Sequence, residues 1–115
     1  MSTEKSTDLL RALDLLSADP DAAHAIAQRY EGDPLADSIH AVIHRREGDI
    51  SNSGYWWRRV GDALPAALAR AYPGGDPARF GTDLRAGRVD EAALREVEAE
   101  EVAALRVLLG GEAAV

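Results

Sequence analysis

The apolar residues of this chain recur at spacings of three and four positions, which is the period of an α-helix with one buried face. The clearest stripe lies near the N-terminus, where Leu9, Leu13 and Leu16 share one side of a helix predicted from about Thr7 to Ser17. No run alternates β-branched and polar residues as a half-exposed strand would. The pattern therefore predicts an all-α fold.

Aspartate–proline pairs indicate where three further helices begin. An aspartate can cap a helix N-terminus, and proline suits the first helical position. The three pairs are Asp19-Pro20, Asp33-Pro34 and Asp76-Pro77. Each is followed by a glycine that can end the helix, so we predict helices over about 20–30, 34–47 and 77–87, and a last one from about Asp90 to Leu109.

The segment 53–72 is also predicted to be helical, but it contains Gly61 and Pro65. Both residues disfavour a continuous helix. Either the helix breaks or kinks near its middle, or Asp62 caps a separate short helix. Taken together, residues 1–115 are predicted to form a single-domain helical bundle of about five to six helices, with frayed ends at about 1–6 and 110–115.

Composition narrows the class of protein. A chain of 115 residues with 46% hydrophobic residues suits one globular domain. Its formal net charge of -7 argues against nucleic acid or an anionic membrane as the main partner, because both reward basic residues. The N-terminus lacks a signal-peptide pattern, and no apolar run is long enough for a membrane span. We therefore expect a cytoplasmic chain whose partner is a small polar molecule or another protein.

Histidines are the most specific chemical feature. His40, His44 and Glu47 are spaced so that they form one row on a helix, beside its apolar stripe. His24 and His40 each lie eight residues from Gly32, where the chain turns between two helices. In an antiparallel pair of helices they should lie at similar heights. We therefore expect three histidines and a carboxylate to converge.

This row admits three interpretations. Neutral imidazole and carboxylate groups bind divalent metals, and with no cysteine in the chain His40, His44 and Glu47 are the candidate metal ligands. Histidine also titrates near neutral pH, so acid–base or hydrolytic chemistry is a second use. The third interpretation is structural hydrogen bonding between helices. The HxxxH spacing alone does not decide, because it lacks the glutamate that marks zinc peptidases.

Two glutamates fall inside the apolar stripe of the last helix. These are Glu98 and Glu101, among Leu94, Val97 and Leu105. A buried carboxylate must be paired, hydrogen-bonded or protonated. Its candidate partners are the histidines above or one of four arginines: Arg45, Arg46, Arg58 and Arg59. The alternative is that this end of the helix is exposed and the glutamates are solvated.

Three aromatic residues in succession mark the fourth helix. On a helix Tyr55, Trp56 and Trp57 fan over about 200°, so one packed face cannot hold all three. We expect two of them in the core and one at a groove or on the surface. With Arg58 and Arg59 next to them, cation–π stacking is expected there.

The stretch HAVIHRREGDISNSGYWWRR resembles the HAxxHRxEGDxxNAxYWYRR motif of a widespread family of small helical proteins of unknown function. The preceding AHAIAQ resembles that family's AHxIxQ segment, and the resemblance extends over about 23–60. Ser53, Trp57 and Val60 differ from the residues usual in the family. The resemblance implies a helical protein with a shared polar patch and no particular activity. The positions that match are His24, Gln28, His40, His44, Arg45, Glu47, Gly48, Asp49, Asn52, Tyr55 and Trp56.

Two functional hypotheses follow. In the first, the chain is a binding module with a polar pocket for a small polar ligand or a divalent metal, and whether it is also an enzyme stays open. In the second, it is an interaction or scaffold protein whose His/Glu/Arg cluster is a structural hydrogen-bond network. The predicted pocket residues are His24, Gln28, His40, His44, Glu47, Asn52, Tyr55 and Trp56, faced by Glu98 or Glu101.

Overall fold

A computed structural model describes residues 4–110 of the chain. These residues form seven α-helices and two short 3₁₀ turns, with no strand among them. The all-α prediction is confirmed, and the helix count is slightly above the five to six expected. The helices are α1 (Glu4–Leu15), α2 (Pro20–Arg29), α3 (Pro34–Arg46), α4 (Ile50–Val60), α5 (Ala66–Ala69), α6 (Pro77–Arg85) and α7 (Glu91–Leu108).

Aspartate side chains cap five of these helices. In each case a carboxylate oxygen accepts a hydrogen bond from a backbone N–H two or three residues further along, in the first turn of the helix. The predicted Asp–Pro starts are confirmed at α2, α3 and α6, where proline occupies the first turn. The five caps are Asp19, Asp33, Asp49, Asp76 and Asp90.

The predicted helix over 53–72 is divided in two, which accounts for the additional helix. α4 ends at Val60 because Gly61 has a φ of 49°, a left-handed conformation that stops an α-helix. A 3₁₀ turn follows, and α5 starts after Pro65, whose backbone is extended. The expectation that Asp62 caps this short helix is wrong: no side chain provides a cap for it.

Helix α3 lies at the centre of the fold. Every residue from Ala36 to Arg45 is buried, so α3 is covered on all sides. It packs mainly against α4 and α2, α1 covers α2, and α4 also contacts α6. Because this central helix carries His40, His44 and Arg45, their side chains must find partners inside the protein rather than in water.

The ends of the chain differ partly from expectation. α1 begins at Glu4, so residues 4–6, expected to belong to a frayed end, are helical. Residues 1–3 and 111–115, which the same prediction covers, lie outside the described residues. Between residues 4 and 110 no helix is long and apolar enough to span a membrane.

Candidate functional site

Three histidines converge at the contact between α2 and α3. The ring of His24 lies 4.5 Å from that of His40 and 5.3 Å from that of His44, measured between centroids. His40 and His44, one turn apart on α3, are separated by 4.9 Å. One potential ligand nitrogen from each residue lies within 4.8 Å of the other two. The convergence predicted from their spacing around Gly32 is therefore found, and the three residues could hold a metal.

His40 is the most deeply placed member of this histidine cluster. Its residue is 3% exposed, and its ring stacks on Trp56 at a centroid distance of 3.8 Å. Burial lowers the pKa of His40 to about 4, and electrostatic repulsion from His24, His44 and Arg59 acts in the same direction. At neutral pH its imidazole is therefore uncharged, with a lone pair available for a metal or a proton.

Two nitrogens in the cluster lack hydrogen-bond partners. Nδ1 of His40 and Nδ1 of His44 are both buried and unpaired. Oε2 of Glu47 lies 3.3 Å from Nδ1 of His44, within ion-pairing distance, but their geometry does not make a hydrogen bond. A buried polar atom without a partner costs about 1–3 kcal/mol. These two atoms therefore make no structural hydrogen bond between helices, which was one interpretation of the row formed by His40, His44 and Glu47.

The metal-ligand set differs from the one expected. His40 and His44 belong to the group of converging ligand atoms, and His24 completes it, whereas Glu47 lies beside His44 outside that group. Glu47 ends α3 and its side chain is well exposed. Its carboxylate is therefore placed to orient His44 or to face solvent rather than to join the three nitrogens.

The aromatic residues divide as their fan on the helix predicts. Trp56 and Trp57 are buried, whereas Tyr55 is 45% exposed. The guanidinium of Arg59 lies 5.0 Å from the centre of the Trp56 ring, and one of its N–H groups donates to the Tyr55 hydroxyl at 3.4 Å. The stacking expected beside the aromatics is made by Arg59. Trp56 thus separates the core-facing His40 from an exposed tyrosine–arginine pair.

Two predicted members stay apart from the histidines. Gln28 and Asn52 are both exposed. The backbone N–H of Asn52 donates to the capping Asp49. No hydrogen bond among residues 4–110 joins either side chain to a histidine, so neither completes the cluster in this structure.

The inward glutamates of α7 bind arginines instead of facing the histidines. Both carboxylate oxygens of Glu101 accept hydrogen bonds from the Arg45 guanidinium, at 2.7 and 2.8 Å. Oε2 of Glu98 lies 3.4 Å from Nε of Arg46 and 3.6 Å from Nη2 of Arg45. The reason is geometric: Arg45 follows His44 by about 100° around α3, so the side that α7 covers is not the side that carries the histidine row.

A tyrosine that the sequence did not single out completes this second cluster. The hydroxyl of Tyr72 donates to Oε2 of Glu101, and the Arg45 guanidinium lies 5.4 Å from the centre of the Phe80 ring. Burial and the negative charge of Glu101 raise the pKa of Tyr72. Burial opposes the charge of Arg45, but its hydrogen bonds to Glu101 outweigh that effect and raise its pKa. The three residues form a buried network in which Glu101 compensates the Arg45 charge, although Nε of Arg45 has no hydrogen-bond partner.

A cleft of about 530 Å³ lies beside this buried network. Its walls come from the end of α1, the start of α2, the C-terminal part of α3, and α6 and α7. Glu47 and Glu98 line it, but none of the histidines does. The single pocket expected from the sequence is therefore two separate features, the histidine cluster and the cleft.

Comparisons of the chain with models of protein families, with curated proteins and with solved structures give no match. The resemblance of residues 23–60 to the histidine-containing motif therefore stays a prediction. Evidence for function comes from the geometry of the histidine cluster and of the cleft.

Proposed function

We propose that this chain is a metal-binding protein whose ligands are His24, His40 and His44. The observation that carries the proposal is the convergence of one nitrogen from each residue within 4.8 Å. Three imidazoles on two packed helices make a site whose ligands are held by the fold itself. Binding a metal there would also clamp α2 onto α3.

The chemical state of the histidines supports this proposal. A metal needs neutral imidazole, and burial keeps His40 neutral well below pH 7. Stacking on Trp56 fixes the ring, so less rotational freedom is lost on binding. The unpaired Nδ1 atoms of His40 and His44 would gain a partner, either in the metal or in a rearranged hydrogen bond.

The ligand set favours some metals over others. Imidazole nitrogens without carboxylates suit Zn²⁺, Ni²⁺ and Cu²⁺, whereas Ca²⁺ and Mg²⁺ require oxygen ligands. Three protein ligands leave a further position on Zn²⁺ for water or a bound molecule, as in catalytic zinc sites. The proposed ion is therefore a borderline transition metal, with Zn²⁺ as the first to test.

The test is competition for Zn²⁺ against a chelator of known affinity, using the purified metal-free chain. Replacing His24, His40 or His44 with alanine should weaken binding by more than the roughly 10–100-fold that loss of a residue supporting a ligand costs. Gln28→Ala is the matched control, because Gln28 is exposed on α2 one turn beyond His24 and does not belong to the group of converging ligand atoms. That variant should bind as the parent chain does.

Stability provides a second measurement. Zn²⁺ at about 100 times its dissociation constant should stabilise the parent chain by about 2.7 kcal/mol and leave the His24→Ala chain unchanged. If Zn²⁺, Ni²⁺ and Cu²⁺ all fail to raise the melting temperature of the parent chain, metal binding is not its function. That result would favour the scaffold interpretation, because the buried hydrogen bonds among Arg45, Glu101 and Tyr72 join different helices and need no ligand.

A further inference from the structure

The cleft has the size and lining of a small-molecule site. Its volume of about 530 Å³ falls within the range of about 300–1,000 Å³ typical of ligand pockets. Leu16, Ile43, Leu84 and Leu94 supply apolar walls from four different helices or their ends. An apolar body of four to six carbons would bury its surface against them.

The charges around the cleft do not cancel. Arg45 donates two hydrogen bonds to Glu101, and the guanidinium of Arg46 is paired with Glu98. Glu47 also lines the cleft, and its only ion-pairing partner among residues 4–110 is the imidazole of His44. Two arginines and two glutamates line the cleft, and the buried Glu101, which does not line it, compensates Arg45. Glu47 is therefore the lining carboxylate without an arginine or lysine partner among residues 4–110.

The polarity of the α3 backbone also favours a cation in the cleft. The cleft receives the last turn of α3, where Arg45, Arg46, Glu47 and Gly48 contribute to its wall. The C-terminal end of a helix carries a partial negative charge. In α3 the carbonyls of Ile43, His44 and Arg45 already accept backbone hydrogen bonds, which leaves the carbonyl of Arg46 for a ligand. A cation in the cleft would thus meet a negative helix end together with the Glu47 carboxylate.

We infer that the cleft binds a small organic cation, an ammonium group joined to a branched apolar body, with the ammonium on Glu47 and the body on the leucines. Charge complementarity selects the ammonium, since an acid would meet the excess carboxylate and the helix end. The cleft does not include the histidines, so the inference does not require a bound metal, but Glu47 also lies 3.3 Å from Nδ1 of His44, and the test is therefore made without metal.

The test uses three probes with the same branched five-carbon skeleton: isopentylamine, isopentanol and isovalerate. Binding is followed by chemical-shift changes in ¹⁵N-labelled protein, in excess EDTA so that metal plays no part. We expect the amine to bind at least about tenfold more tightly than the alcohol, because a charge-assisted hydrogen bond is added, and isovalerate to bind most weakly. Shifts should centre on Gly48, Leu84 and Leu94.

A pair of variants assigns the preference to Glu47. Glu47→Gln keeps the shape and removes the charge, so the amine should fall to the affinity of the alcohol while the alcohol is unaffected. Glu96→Gln makes the same charge change at an exposed position of α7 outside the cleft, and should retain the preference. Equal binding of amine and alcohol to the parent chain, stronger binding of isovalerate, or no binding of any probe would each overturn the inference. Retained amine preference in Glu47→Gln would overturn it as well.

Discussion

The buried ion pair between α3 and α7 gives the largest expected effect of a single substitution. Glu101 is 0% exposed and Arg45 2% exposed, and two hydrogen bonds join them. Replacing Glu101 with glutamine keeps the side-chain volume but removes the buried counter-charge of the guanidinium, leaving it the partly exposed Glu98 at 3.6 Å. We expect the free energy of unfolding to fall by about 3–5 kcal/mol.

This loss is large relative to the stability of the whole chain. Domains of this size unfold with about 5–15 kcal/mol, so the variant would lose at least roughly a fifth of the total. At about 3–5 °C per kcal/mol for a chain of this length, the melting temperature should fall by on the order of 10–20 °C. The hydroxyl of Tyr72 also loses its carboxylate acceptor, which adds to the effect.

Urea unfolding followed by far-ultraviolet circular dichroism measures this change directly. Glu100→Gln is the control, since Glu100 is the exposed neighbour on the same helix, and it should alter stability by no more than about 0.5 kcal/mol. The double variant Arg45→Met/Glu101→Leu removes both charges and should recover most of the loss. A loss below about 1 kcal/mol for Glu101→Gln, or a double variant no more stable than the single one, would refute the uncompensated-charge argument.

Three further outcomes are expected. The free energy of unfolding should fall as the pH drops from about 6.5 towards 4. In that range His40 takes up a proton in the unfolded chain but not in the folded chain, where its pKa is about 4. Urea titrations of His40→Gln should show a shallower fall, by up to about 1.4 kcal/mol per pH unit. Asp33→Ala should cost about 1 kcal/mol in thermal unfolding, because two backbone N–H groups lose their cap, whereas the exposed Asp62→Ala should cost nothing measurable. Gly61→Ala should destabilise the chain by about 1 kcal/mol, because Gly61 has a positive φ. Gly54→Ala, inside α4 with room for a Cβ, should stabilise it by a similar amount. Stability changes of the same sign in both variants would contradict the conformational argument.

Local signals in the sequence predicted most of the architecture. A capping aspartate acts within three residues, so the starts of α2, α3 and α6 follow from sequence neighbours alone. The histidine convergence was also predictable, because a short turn and the helical period relate the heights of His24 and His40 without any long-range information. Both predictions depend on geometry that the chain fixes over a few tens of residues.

The contacts of α7 could not be predicted in the same way. Angular counting indicated that Glu101 is buried, but its partner depends on which side of α3 the last helix covers. Arg45 and Glu101 are 56 positions apart, and nothing in the spacing chooses between arginine and histidine. Tyr72 carried no signal at all, since its role comes from the path of the chain after Gly61. The cleft was missed for the same reason, because several separate elements form it.

The order in which the chain is synthesised gives the Arg45–Glu101 pair a further consequence. A nascent chain on the ribosome that has produced α1 to α6 already contains the central helix, but not Glu101, the buried carboxylate that pairs with Arg45. Packing α3 into the core at that stage would bury the Arg45 guanidinium without a counter-charge, which costs several kcal/mol. The core is therefore expected to stay unpacked until α7 has been synthesised. A chain truncated before Glu101 would remain in that open condition, exposed to chaperones and proteases. α7 thus supplies the charge without which burying Arg45 at the centre of the fold is costly.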